Sequence, residues 1–368
     1  MTSYERIYKA MRFQAPDRVP VMCQLSQGYM SKNGGVKPLD VYTSAEGAAY
    51  AFFKTRRDLG FDGIVLNIAF SDDWRDFYDN IKSIPIEGGE KLILPDGREY
   101  EQQGNNLIQT VVPLVEEKPN IDNIDPDEVL LRLDYTDMMV LHRMAVEQGE
   151  REQFSVHGEI VSPYDCFVVL LGLEEAMMAL ITDSDKCKSI LSRYVQQCFS
   201  FAKAQIDVGV DAIKISSPFA GGSFISLDFY QEFVLPFERE VVTQIHAYRT
   251  DMPVYTHTCG FIGDRLELMA ATGINGLECM DPPPLGNTTL SDAKHRVGNK
   301  LFLKGNMDSV NALLNANEHF MEGYIKQMIG DGAEGGGYIL STACSVAPNV
   351  KPEVLKMLVP LAEKYGAY

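Results

Sequence analysis

Eight short apolar runs, each bounded by Gly, Pro, Asp or Ser, constrain this chain more than any other feature. They are Arg18 to Leu25, Phe61 to Phe70, Gln153 to Ile160, Val210 to Ser217, Met252 to Thr258, Ile274 to Met280, Leu301 to Gly305 and Gly337 to Ala343. Most are followed by a helical pattern. The segment from Ser226 opens with a capping serine and carries apolar residues on one face. The segment from Phe261 ends at a helix-stopping Gly273. Val310 to Leu314, His319 to Ile329 and Lys351 to Tyr365 supply the later helices. Strands that alternate with helices pair in parallel, because the helix is the crossover. Eight such units in 368 residues predict an α/β fold, a (β/α)8 TIM barrel forming a single domain over residues 1–368. An open doubly wound sheet is the alternative, but no GxGxxG follows the first strand as its dinucleotide-binding form requires.

One stretch breaks the alternation. From about Ile81 to Pro113 apolar and polar residues alternate, with Leu94-Pro-Asp-Gly-Arg as a turn. That predicts a β-hairpin insertion after the second strand, over about 81–113.

Charge removes whole classes of function. A formal net charge of −18 leaves no basic stripe to neutralise phosphates, so nucleic acid is excluded as a partner. It also disfavours an anionic membrane surface. The most apolar stretch, Phe167 to Leu173, meets Glu174 and Glu175 too soon to span a bilayer, and the first residues lack a signal-peptide core. Seven cysteines, an odd number scattered along the chain, do not read as a disulfide framework. A reducing cytoplasmic setting is the simpler expectation, which leaves thiols available to a metal. A homo-oligomer is compatible with the sequence, which fixes no copy number.

The strand ends carry the chemistry. His257 and Cys259 close the fifth run, and Cys344 follows the eighth. Side chains at carboxyl ends of parallel strands converge on one mouth. One imidazole and two thiols meeting there suit zinc, with a fourth position left for substrate. Inert buried cysteines beside a packed histidine are the alternative. Glu278, at the end of the next strand, could be a labile fourth ligand, could hydrogen-bond a ligand, or could line a wet rim. Asp72, His157 and Asn306 stand at other strand ends, where barrel enzymes keep substrate contacts. Gly330 to Gly337 precedes a strand rather than a helix and fails as a phosphate loop.

Several segments together resemble the uroporphyrinogen decarboxylase superfamily. They are Asp17-Arg-Val-Pro, Asp211-Ala-Ile-Lys-Ile-Ser, Phe233-Val-Leu-Pro, Gly305-Asn-Met-Asp and Gly335-Gly-Gly-Tyr-Ile-Leu-Ser-Thr. The resemblance covers nearly the whole chain and implies a (β/α)8 barrel with its site at the carboxyl face. The superfamily divides into metal-free porphyrinogen decarboxylases and zinc-dependent methyltransferases that work with corrinoid proteins. Where the decarboxylases carry Met-Arg-Gln-Ala-Gly-Arg, this chain has Gln24-Leu-Ser-Gln-Gly-Tyr-Met, without the arginines that a polycarboxylate needs. Phe70-Ser-Asp72 does resemble the decarboxylase segment that holds a pyrrole-binding Asp. The His-x-Cys…Cys pattern is similar to the zinc set of methylcobamide:thiol methyltransferases and maps onto His257, Cys259 and Cys344.

The resemblance implies methyl transfer between corrinoid cobalt and a zinc-activated substrate. That substrate is either a thiol acceptor such as coenzyme M or a methyl ether donor in O-demethylation. The chain has no Asp-x-His-x-x-Gly corrinoid-binding motif, so the cobalamin-type cofactor would come on a corrinoid-binding partner protein. The competing reading is a metal-free decarboxylase that uses Asp72 as its electrostatic anchor.

Overall fold

The computed structural model describes residues 1–103, 109–112 and 118–368, the stretch 109–112 by its backbone alone. Seven strands form one curled parallel sheet, numbered here together with four strands of an insertion in chain order. The parallel strands are β1 (Gly63–Leu66), β6 (Ser155–Val161), β7 (Ala212–Ser216), β8 (Val254–Thr258), β9 (Gly276–Cys279), β10 (Phe302–Met307) and β11 (Tyr338–Thr342). Their spatial order is their chain order, and every pairing is parallel. Each lies inside one of the apolar runs or overlaps it by a residue or two.

The first run, Arg18 to Leu25, does not form a regular strand. It touches β11 through isolated bridges, Val21 with Leu340 and Leu25 with Val346. Met22 N–H donates to Leu340 O (3.0 Å), and Leu340 N–H donates to Pro20 O (2.9 Å). On its other side Asp62 N–H donates to Val21 O (2.8 Å), one residue before β1 begins. The irregularity has a local cause. Pro20 has no N–H to give a ladder. The Val21 N–H is taken by the Asp62 carboxylate (2.8 Å), which Arg18 also grips at 2.7 Å. The segment therefore lies against both edges of the sheet without joining its ladder.

Inside the curl, Met22, Val65, Ala212, Tyr255, Phe302 and Ile339 pack with Ile7 and Ala10 of the helix Ser3–Ala10 and with Met11, which caps it. That helix starts on a Thr2–Glu5 capping box, which satisfies two of its free amide groups. It plugs the amino end of the curled sheet. The larger apolar core lies between the sheet and its outer helices. With one end closed by packing, the carboxyl ends of the strands are where function can sit.

The insertion differs from the single hairpin expected. It is a four-stranded antiparallel sheet of β2 (Lys82–Ile86), β3 (Gly89–Ile93), β4 (Glu99–Gln103) and β5 (Gln109–Val112). Leu94 to Arg98 does form the β3–β4 turn, where Leu94 N–H donates to Arg98 O (2.9 Å). The additional turn, at Glu87-Gly88, joins β2 to β3, and Gly88 takes φ 79° there, a value that a side chain disfavours. Pro113, the expected end of the insertion, lies outside the described residues.

Several expected helices are also altered: Lys351 to Tyr365 is two helices, Pro352–Lys356 and Leu358–Tyr365, and the segment from Phe261 is helical only over Leu266–Ala270. The helix from Ser226 contains a π-turn at Tyr230–Val234 just before Pro236, whose missing N–H cannot continue the regular ladder. Val310 to Leu314 forms turns instead of a helix. Among the described residues, no helix is long and apolar enough to cross a membrane.

Candidate metal centre

His257 is the fourth residue of β8, and the chain leaves the sheet directly after Thr258. Alternation along the strand puts His257 and Cys259 on one side, and Cys344 arrives two residues past the end of β11. One ligand atom from each of His257, Cys259 and Cys344 falls within 4.8 Å of the others. His257 Nε2 and Cys259 Sγ are 3.3 Å apart. His257 is 5% exposed and both cysteines are half-buried, so the group is shielded yet open on one side.

The other ring nitrogen of His257 has its own partner. Nδ1 lies 2.9 Å from Glu278 Oε2, whose residue faces His257 directly across the β8–β9 ladder. A carboxylate only accepts, so Nδ1 carries a proton and Nε2 is the ring nitrogen turned toward the two thiols. Glu278 is buried, and two buried lysines hold it. Lys304 on β10 bonds its Oε1, and Lys214 on β7 lies 3.3 Å from its Oε2. Lys214 also reaches Glu159 Oε2 on β6 (3.1 Å) and the Gln24 amide oxygen. A charged layer of Glu159, Lys214, Glu278 and Lys304 therefore lies between the apolar plug and the mouth.

Electrostatics within this layer follow from the pairing. Burial alone would raise the carboxyl of Glu278, but Lys214 and Lys304 hold it well below the ordinary range. Burial works against the charge on Lys214, and Glu159 and Glu278 overcome it, so its pKa is raised. On His257, burial and then Lys214 disfavour the proton, but contacts to Cys259, Cys344 and Glu278 hold the pKa well above 6.5. The neighbouring thiol of Cys279 raises Cys259, and Cys259 with burial raises Cys344. All three side chains thus keep their protons more firmly than free groups do.

A second grouping adjoins the first. Cys279 and Asp281 bring a thiol and a carboxylate within 4.8 Å of Cys259 and of each other. Burial pushes the Cys279 thiol up to about 12, and Asp281 Oδ2 already accepts from Gly260 N–H (2.7 Å). Cys279 and Met280 adopt positive φ, 79° and 55°, a strained turn for residues with side chains.

The remaining sequence-selected residues lie elsewhere. Asp72 is largely exposed and pairs with Arg143 at 2.6 Å. His157 is fully buried, with Nδ1 3.0 Å from the Tyr255 hydroxyl and burial lowering its pKa to about 3. It sits at the level of Ala212 in the apolar plug rather than at the mouth. Asn306 spends its amide donors on Met280 O (2.9 Å) and Thr288 O (3.1 Å), bracing the loop after β9.

Sequence reasoning passed over Lys214 and Lys304. Each was visible as a lone lysine inside an apolar strand, the kind of charge that is buried only when paired. It also passed over Asp165, which accepts from Ser162 Oγ (2.7 Å), Ser217 Oγ (3.2 Å) and Phe219 N–H (3.2 Å) beside the β7 end.

Fold and site together define a parallel α/β protein of the TIM-like class with an imidazole and two thiols gathered at its strand ends. The uroporphyrinogen decarboxylase (URO-D) family model matches residues 109–365, and the chain belongs to that family. A curated relative, methylcobamide:CoM methyltransferase MtbA from Methanosarcina mazei, is 23% identical over 99% of each chain. Uroporphyrinogen decarboxylase from Tolumonas auensis is 29% identical over 48% of each. A solved methyltransferase from Methanosarcina mazei shares the fold at a TM-score of 0.74, with 18% identity and 99% of each chain covered.

Proposed function

We propose that this protein is a corrinoid-dependent methyltransferase that holds one zinc ion on His257, Cys259 and Cys344. The observation that carries the reading is the convergence of those three ligand atoms within 4.8 Å at the mouth of the curled sheet. Tetrahedral zinc, with bonds of about 2.0–2.1 Å to nitrogen and about 2.3 Å to sulfur, requires ligand atoms nearly this close. The donor set, one neutral imidazole and two thiols, is the chemistry zinc prefers, and three donors leave a position for substrate. The full-length likeness to a methylcobamide:CoM methyltransferase supports methyl transfer over decarboxylation.

Bound there, zinc would supply Lewis acidity to a substrate thiol or ether oxygen. The chain's own residues do the rest. Glu278 fixes the His257 tautomer and ring angle, which makes it a positioning residue whose oxygens are already shared among His257, Lys214 and Lys304. Lys214 and Lys304 keep Glu278 ionised in a buried place. The apolar plug below closes the amino end, so reactants meet only at the carboxyl ends. The corrinoid would come on a separate protein. The run Arg18 to Leu25 completes the barrel as its eighth stave, and the seven free thiols suit a reducing cytoplasm.

A metal-free decarboxylase built on Asp72 has less support. That carboxylate is exposed and already neutralised by Arg143. The test is incubation of zinc-loaded protein with a methylated corrinoid protein and a panel of thiols, read by visible absorbance, with the reverse reaction run from cobalt(I) and methyl ethers. Demethylation or methylation of the corrinoid supports the reading. Decarboxylase activity that survives exhaustive chelation, with no corrinoid reaction, overturns it.

A further inference from the structure

A cavity of about 680 Å³ opens beyond the carboxyl end of β1, and none of His257, Cys259 and Cys344 lines it. Its size falls in the range of small-molecule sites, roughly 300–1,000 Å³. Its floor includes Ala69 and Phe70 after β1, and three further pieces of chain wall it. The helix Pro38–Thr43 gives Tyr42, the helix Trp74–Asp79 gives Trp74 and Phe77, and the inserted sheet gives Tyr100 with Arg98 from its turn. Four aromatic rings from three elements around one space favour a flat partner, which can pack against them offset or edge-on.

The polar end of the cavity is specific as well. Arg98 Nη1 donates to the Tyr100 hydroxyl oxygen at 3.4 Å, and among the described residues nothing accepts that hydroxyl's own proton. The Arg98 charge is already matched by Asp96, which its Nε meets at 2.8 Å. A neutral oxygen acceptor therefore suits this end better than a carboxylate. Pairing of aromatic walls with the Tyr100 phenol at the Arg98 end sets the ligand class.

We propose that this cavity binds a neutral aromatic molecule carrying an ether or hydroxyl oxygen, its ring among Tyr42, Trp74 and Phe77 and its oxygen at Tyr100. The ligand's place in turnover rests on the methyltransferase reading, whereas its binding does not. The inserted antiparallel sheet acquires a purpose on this account, since it supplies the wall and donor that the parallel sheet lacks.

Trp74 is the chain's one tryptophan, so the cavity has a built-in reporter. Full-length protein is titrated with methoxybenzene and with phenol, excited at the red edge of the indole band, with cyclohexyl methyl ether as the non-aromatic control. The expected result is a saturable change in emission with both aromatics, and binding of the cyclohexyl ether at least tenfold weaker. Ala69 lines the same cavity. Ala69→Leu should weaken methoxybenzene at least tenfold without moving the thermal midpoint, and Tyr100→Phe should weaken it several-fold. The proposal is overturned by an unchanged emission together with no heat on calorimetric titration. Equal affinity for the cyclohexyl ether, or undiminished binding in a folded Ala69→Leu protein, overturns it too. Binding that persists in protein inactive toward every corrinoid would sink the methyltransferase reading alone. Active protein that binds neither aromatic would sink this inference alone.

Discussion

Glu278 and His257 face one another across the β8–β9 ladder, carboxylate oxygen to Nδ1 at 2.9 Å, and the two thiols lie on the opposite side of the ring. One residue thus sets which nitrogen is available as a ligand. Glu278→Gln cannot accept the Nδ1 proton on both oxygens alike and removes the charge that orients the ring. Loss of such an outer partner costs about 10–100-fold in metal affinity. Competition for zinc against a chromophoric chelator measures it, and an unchanged affinity would remove Glu278 from the positioning role.

Lys304 is fully buried against Glu278. Lys304→Met leaves that carboxylate with a weaker share of charge in an apolar place, and such broken buried pairs cost about 3–5 kcal/mol. Denaturant midpoints should fall accordingly. The double change Lys304→Met with Glu278→Gln should recover part of the loss, because both charges are then gone. A double variant less stable than the sum of the two single changes would contradict a direct pairing.

Glu238 gives the protein a stability cost near neutral pH. Burial pushes its carboxyl up to about 7 from the ordinary 4.5, against the Ser217 contact. In acid, below the unfolded value, the group is protonated in both states and costs nothing. As pH rises from about 4.5 to 7 the unfolded chain ionises first, so folding stability falls by up to about 3 kcal/mol. Glu238→Gln should flatten that decline and raise the thermal midpoint at pH 8 more than at pH 4. Equal midpoint shifts at both values would contradict the raised pKa.

Metal retention should depend steeply on pH. His257, Cys259 and Cys344 all hold protons more firmly than free side chains, for the reasons of contact and burial given above. A metal must displace those protons, so apparent zinc affinity rises with pH and is lost toward acid. Dialysis of zinc-loaded protein across pH 5 to 8, followed by metal analysis, checks the direction.

Much of this architecture was legible in the chain because parallel strands buried on both faces read as continuous apolar runs. Seven of the eight runs coincide with strands of the sheet. The first departs because Asp62, distant in sequence, takes the Val21 N–H that a neighbouring strand would have bonded. The His257, Cys259 and Cys344 grouping was visible as residue types at strand ends, since alternation fixes which side chains share a face. The lysines beneath it were not singled out, because a lysine in a strand discloses its partners only when the register is known. His157 lies lower than a strand-end position for a related reason. Its strand extends to Val161, four residues further on. Asp72 could not be assigned a partner before Arg143 was brought to it by the fold.

X-ray absorption at the zinc edge tests most directly whether one imidazole and two thiolates hold a zinc ion. Protein purified without chelators should contain about one zinc per chain, with two sulfur neighbours at about 2.3 Å and nitrogen at about 2.0–2.1 Å. Cys344→Ser should lose one sulfur from that shell, and the double change Cys259→Ser with Cys344→Ser should lose the metal. A zinc shell without sulfur in the unaltered protein, or full occupancy in the double variant, would contradict the account.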